Sequence, residues 1–76
     1  MYKLPFKPGD DLYILDDECN YEIRCCKNGI AGIAFMGDGE IKFVTTDGYA
    51  CSEGECDTYT SYAAAYMAQQ RYLNKN

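Results

Sequence analysis

Five cysteines, Cys19, Cys25, Cys26, Cys51 and Cys56, are the residues of this 76-residue chain with the most chemistry open to them. An odd number of thiols, behind an N-terminus without a secretory pattern, fits free thiols or metal ligands better than a disulfide framework. Cys51-x4-Cys56 has a spacing near that of zinc knuckles, and Cys25-Cys26 is the other candidate pair. A zinc tetrathiolate would therefore use Cys25, Cys26, Cys51 and Cys56, and would supply on the order of 10 kcal/mol to the fold. Neighbouring side chains of a strand point to opposite faces, so such a site requires the strand to break at Cys26, which the turn Lys27-Asn28-Gly29 permits. Cys19 lies too far from Cys25 along a continuous strand to join them. The competing reading makes the thiols small buried hydrophobes.

Histidine is absent, which removes the commonest general base, the Cys-His and Ser-His nucleophile pairs and every zinc site that uses imidazole. The carboxylates fall into two groups: Asp10, Asp11, Asp16, Asp17, Glu18 and Glu22 near the start, and Glu53, Glu55 and Asp57 later. No base-plus-nucleophile set accompanies them. Asp16-x-Glu18-x-Asn20 lacks the central Gly and distal Glu of a calcium loop, and Gly37-x-Gly39 has no following helix to hold a phosphate. A non-enzymatic protein is expected. Carboxylates spaced like phosphates can instead occupy the basic nucleic-acid channel of another protein, and Asp16, Asp17 and Glu18 are the acids placed in that role. The same residues also read as ordinary solvated turns.

Tyrosine supplies the third constellation. With Ser61 as N-cap, a helix over residues 61–73 gathers Ala64, Ala65, Ala68 and Tyr72 on one side and Tyr62, Tyr66 and Leu73 on another, about 120° away. Small residues permit close approach to a sheet, so the alanine stripe is read as the core face. Tyr62, Tyr66 and Leu73, with Tyr59 just ahead of the helix, are then read as a face for a protein partner or for a second copy in a homodimer. The opposite assignment, tyrosines inward and alanines outward, stays open.

The elements that must position these groups are short. Runs at 12–15, 21–25, 30–36, 41–46 and 49–51 have strand composition and are separated by the turns Lys7-Pro8-Gly9-Asp10, Asp16 to Asn20, Lys27-Asn28-Gly29, Gly37 to Glu40 and Asp47-Gly48. Residues 30–36 are nearly continuously apolar and read as the central strand. The expected class is mainly β with one C-terminal α-helix (α+β). Four or five strands within residues 11–51 form a small antiparallel meander or SH3-like open barrel, and the helix plugs or covers one end. All of it is one domain, 1–76, whose core is small: a chain of this size buries only about 60% of its unfolded surface.

Twelve acids against seven bases give a net charge of −5, which disfavours direct binding to nucleic acid or anionic lipid and favours a basic partner. No run of about 18 apolar residues offers a membrane span, and M-Y-K-L-P-F-K-P-G-D lacks the apolar core of a signal peptide. The expected location is the cytoplasm.

Three stretches carry a resemblance: K-P-G-D-D-L-Y-I at 7–14, G-I at Gly32 and Ile33, and G-E-C-D-T-Y-T-S-Y-A-A-A at 54–65. Together they resemble small, mostly uncharacterised proteins of Firmicutes and their phages, whose pattern runs G-D-x-V-Y, then a few strands, then G-x-x-V-F-L-T-x-E-E-A. The resemblance implies an SH3-like β-barrel followed by a C-terminal helix and no enzymatic activity, with Ser61 at the helix N-cap and Ala65 facing inward. The pattern's acids are replaced here by Ala63 and Ala64, so the helix loses the negative first turn that its dipole favours. In size and charge the chain is also similar to the small acidic anti-CRISPR proteins. The expected function is that of a binding module of phage or mobile-element origin, a stoichiometric inhibitor of a nucleic-acid-binding host defence nuclease. The alternative is a small structural zinc protein.

Overall fold

A computed structural model of the protein describes residues 6–75; the first five residues, part of the stretch read above for a signal peptide, and Asn76 lie outside the described residues. Its elements in chain order are β1 (Leu12–Asp16), β2 (Glu22–Cys26), β3 (Ile30–Phe35), β4 (Ile41–Thr45), β5 (Ala50–Cys51), β6 (Thr58–Tyr59) and α1 (Tyr62–Leu73). The fold is mainly β with one C-terminal helix. The first five strands fall within two residues of the runs anticipated for them.

The strands do not form a single meander. They divide into two three-stranded antiparallel sheets, β2-β1-β6 and β3-β4-β5, and these do not close into a barrel. The division occurs at the Asn28-Gly29 turn, where composition suggests a hairpin. Gly29 N–H donates to the Cys26 carbonyl, but Ile30 N–H then donates to the Asp10 carbonyl and Gly9 N–H to the Ile30 carbonyl, so the backbone groups of Ile30 are taken by the loop before β1 and not by β2. Consequently β3, read as a central strand, stands at the end of its sheet's strand order.

Thr58 and Tyr59 bring a second correction. They open the polar and aromatic run that leads into the helix, yet they form a strand paired with Ile14 and Tyr13 of β1. The helix starts only at Tyr62, because the Ser61 hydroxyl accepts the Ala64 N–H at 3.2 Å as an N-cap.

Side chains of β1 alternate between two cores. Leu12, with Ile14 and Cys26, faces the other sheet and packs with Phe6, Ile30, Phe43 and Cys51. Leu15, with Tyr13 and Ile23, faces the helix and packs with Tyr59, Ala65 and Ala68. Period-two alternation thus makes β2-β1-β6 the middle layer of three, between α1 and the second sheet. The helix covers a sheet face rather than plugging a barrel end. No helix of the described residues is long and apolar enough to cross a membrane.

Candidate partner-binding face

Ala65 and Ala68 are fully buried against β1 and β2, which makes the small-residue stripe the core face. Tyr62 and Tyr66 consequently point outward, 57% and 47% exposed, and their rings lie 6.4 Å apart in a near-parallel arrangement. Tyr62 also meets Tyr13 of β1 edge-on, at 6.0 Å and 82°. Three aromatic rings therefore run in one ladder from the middle layer up onto the helix. Each ring is braced by a neighbour in a geometry that the ring quadrupole favours.

Met67, on another side of the helix, is 62% exposed. Leu73 continues the tyrosine stripe two turns beyond Tyr66 and is partly exposed. Tyr59 does not belong to the face. Its pairing with Tyr13 places it in the layer under the helix, where it is 7% exposed and part of the Leu15 core. Tyr13 is the member that sequence reasoning missed; the available signal was its alternation with Leu12 and Ile14, which puts it on the helix side of β1.

Burial raises the pKa of the Tyr13 hydroxyl, with further contributions from the nearby Cys25 and Asp11. Asp11 thus stands at the β1 end of the ladder. The acids Asp16, Asp17 and Glu18 lie at the other end of β1, about 10 Å along the strand from Tyr13. Asp16 is occupied: one carboxylate oxygen accepts the Glu18 N–H at 3.0 Å, the other the Arg24 Nε–H at 2.8 Å. The Arg24 guanidinium, first among these contacts, holds the Asp16 carboxyl below the usual carboxylate range. This pairing removes Asp16 from the free acids, while Asp17 and Glu18 remain exposed.

Of the four expected zinc ligands, Cys26, Cys51 and Cys56 border one groove without the spacing of a metal site, and Cys25 lies on the opposite face of β2. β2 continues through Cys26, so Cys25 faces the helix side beside Tyr13 while Cys26 faces the inter-sheet core. Cys51 is buried opposite Phe43, where desolvation raises its pKa, and Cys56 is exposed. Among the described residues no three Cys, Asp or Glu side chains gather as a metal-ion group would require. Cys19 is exposed and accepts a long bond, 3.5 Å, from the Arg24 guanidinium.

Comparison with protein-family models, with curated proteins and with solved structures finds no match to this chain.

Proposed function

We propose that the protein is a non-enzymatic binding module that docks a basic protein surface through the Tyr13–Tyr62–Tyr66 ladder. The observation carrying this reading is that three rings, two of them about half exposed, are held in one braced row on a rigid helix–sheet layer. Tyrosines so placed offer large contact area with little rotamer entropy left to lose, the property that enriches them in interface hot spots. Charge selects the partner. A net charge of −5, with Asp11 at one end of the row and Asp17 and Glu18 in the turn after β1, steers the module toward a cationic surface. The partner class that presents such a surface is a nucleic-acid-binding enzyme, and occupation of its channel makes the module a stoichiometric inhibitor. A phage or mobile-element origin, acting in the host cytoplasm against a defence nuclease, is the setting that accords with this reading and with the sequence resemblance.

Surface plasmon resonance against a panel of purified defence nucleases tests it. The wild-type protein is expected to bind at least one of them and to compete with its nucleic acid, and Tyr66→Ala to weaken that binding by about 2 kcal/mol, roughly 30-fold. Because Tyr66 is exposed, its removal should change folding stability by no more than about 0.5 kcal/mol. Binding that survives the Tyr62→Ala/Tyr66→Ala double variant unchanged would overturn the assignment. So would a panel without binders combined with concentration-dependent dimerisation that those variants abolish, because the ladder would then be a homodimer face.

A further inference from the structure

The two sheets meet closely at Gly29, beside the groove it helps to line. Gly29 seats against Leu12 there, and Thr46 N–H donates to the Gly29 carbonyl at 3.2 Å. Toward β5 and β6 each sheet ends in a strand of only two residues, and a groove of about 510 Å³ opens between them. That volume lies within the range of roughly 300–1,000 Å³ typical of small-molecule sites. Leu12 and Ile14 form one wall and Cys51 of β5 the other, with Cys26 between them and Cys56 at the side. The space exists because side chains as small as those of Cys26 and Cys51 stand where a filled core would carry Leu or Phe.

We infer that this groove is a binding site for a neutral or cationic apolar small molecule, with aromatic amines as the fitting class. The walls supply apolar contact, which requires an apolar body. Asp47 and Glu55 are the carboxylates that line it, and no Lys or Arg does so, which rejects an anion and admits a positive charge. Glu55 is shared with Lys42 at 3.6 Å, whereas Asp47 is exposed in the turn before β5 and has no ion pair among the described residues. Leu12, at 3% exposure, lies too deep for a flat protein surface to reach. The groove is also on the face of β2-β1-β6 opposite to the tyrosine ladder, so it is separate from the partner-binding face proposed above.

Two fluorescent probes with one aromatic body separate the alternatives: neutral N-phenyl-1-naphthylamine and its anionic relative 8-anilinonaphthalene-1-sulfonate. The neutral probe is expected to bind one per chain, at least ten-fold tighter than the sulfonate, and to slow alkylation of Cys51 by N-ethylmaleimide. Cys51→Leu and Cys26→Leu, which fill the groove from opposite sides, should each weaken the neutral probe ten-fold or more with unchanged far-ultraviolet circular dichroism. If one of them fails to fold, the other and the alkylation assay still decide. Tyr66→Ala should leave the probe bound. Equal binding of the two probes, loss of binding in Tyr66→Ala, or full binding in a folded groove-filled variant would each overturn the inference.

Discussion

At Gly29 a β-carbon would lie 2.8 Å from the Leu12 Cβ and 3.0 Å from both the Cys26 Cβ and the Cys26 carbonyl oxygen. None of these atoms is the end of a flexible side chain, so the backbone itself would have to move. The requirement here is for closeness of approach and not for an unusual dihedral. Gly29→Ala is expected to destabilise the protein by about 1–3 kcal/mol, the usual cost of overpacking a tight contact. Urea unfolding of the variant measures it, and a change below about 0.5 kcal/mol would show that the junction between the sheets is softer than its distances imply. Asn28, one residue earlier, has φ 55° and so occupies the left-handed region that Asn tolerates better than most residues. The Asn-Gly pair therefore does mark a turn, but the second residue is selected by the space beside Leu12. A dipeptide alone does not distinguish a hairpin from a change of sheet, which is why the division of the strands was not legible at this point.

On the scale of elements, the last turns of α1 secure two loops. Tyr21 and Asp57 both have left-handed backbones, φ 60° and φ 58°, unusual for residues with a β-carbon. Tyr21 stacks on Tyr72 with ring centres 4.4 Å apart, its N–H donates to the Asp16 carbonyl at 2.8 Å, and its carbonyl accepts the Gln69 side-chain amide at 2.9 Å. The Tyr72 hydroxyl donates to the Asp57 carboxylate at 2.9 Å. The helix is therefore a clamp on the β1–β2 and β5–β6 connections as well as a cover for Ala65 and Ala68. Close helix–sheet approach depends on those alanines. Ala68→Leu should destabilise by about 1–3 kcal/mol, whereas Met67→Ala, on the exposed side, should stay within about 0.5 kcal/mol; equal effects in urea unfolding would mean the helix is not seated on that stripe. The helix limits, its cap at Ser61 and five of the six strands were readable because periodicity and turn residues are local signals. The pairing of Thr58 and Tyr59 with β1 was not, since it depends on a partner more than forty residues away, and with it the burial of Tyr59 was lost.

For the molecule as a whole, two sheets set in layers leave more surface than a closed barrel would. A chain of this length packed as a single ball has a radius of gyration of about 11 Å; the observed 12.8 Å, with extents of 40 × 23 × 21 Å, reflects the open arrangement. With so little core, the ionisable groups that change environment on folding should shape the stability profile. Two carboxyls are held below their usual range: Asp16 chiefly by the Arg24 hydrogen bond, and Glu55 chiefly by the Ser52 N–H, with Lys42 adding to it. A depressed carboxyl pKa stabilises the fold above the unfolded value, about 4, and that stabilisation is lost as pH falls through the folded value. Four tyrosine and cysteine groups are shifted the other way: Tyr72 chiefly by its bond to Asp57, and Tyr13, Tyr59 and Cys51 chiefly by burial. A raised pKa leaves stability intact below the unfolded value, about 8.5 for Cys and about 10 for Tyr, and removes it as pH rises through the folded one. Tm should therefore be flat between about pH 5 and 8 and fall on both sides. Each limb has its own variant. Asp16→Asn should lower Tm at pH 7 and approach wild type as pH falls through the depressed folded pKa of Asp16, where the Arg24 pair is lost. Tyr72→Phe should lower Tm at neutral pH and make the alkaline limb shallower, because a phenyl ring keeps the stack on Tyr21 yet has no proton to lose. Differential scanning calorimetry across pH 2–11 reads both variants, and an acid limb unchanged by Asp16→Asn would show that the Arg24 contact is too solvated to contribute.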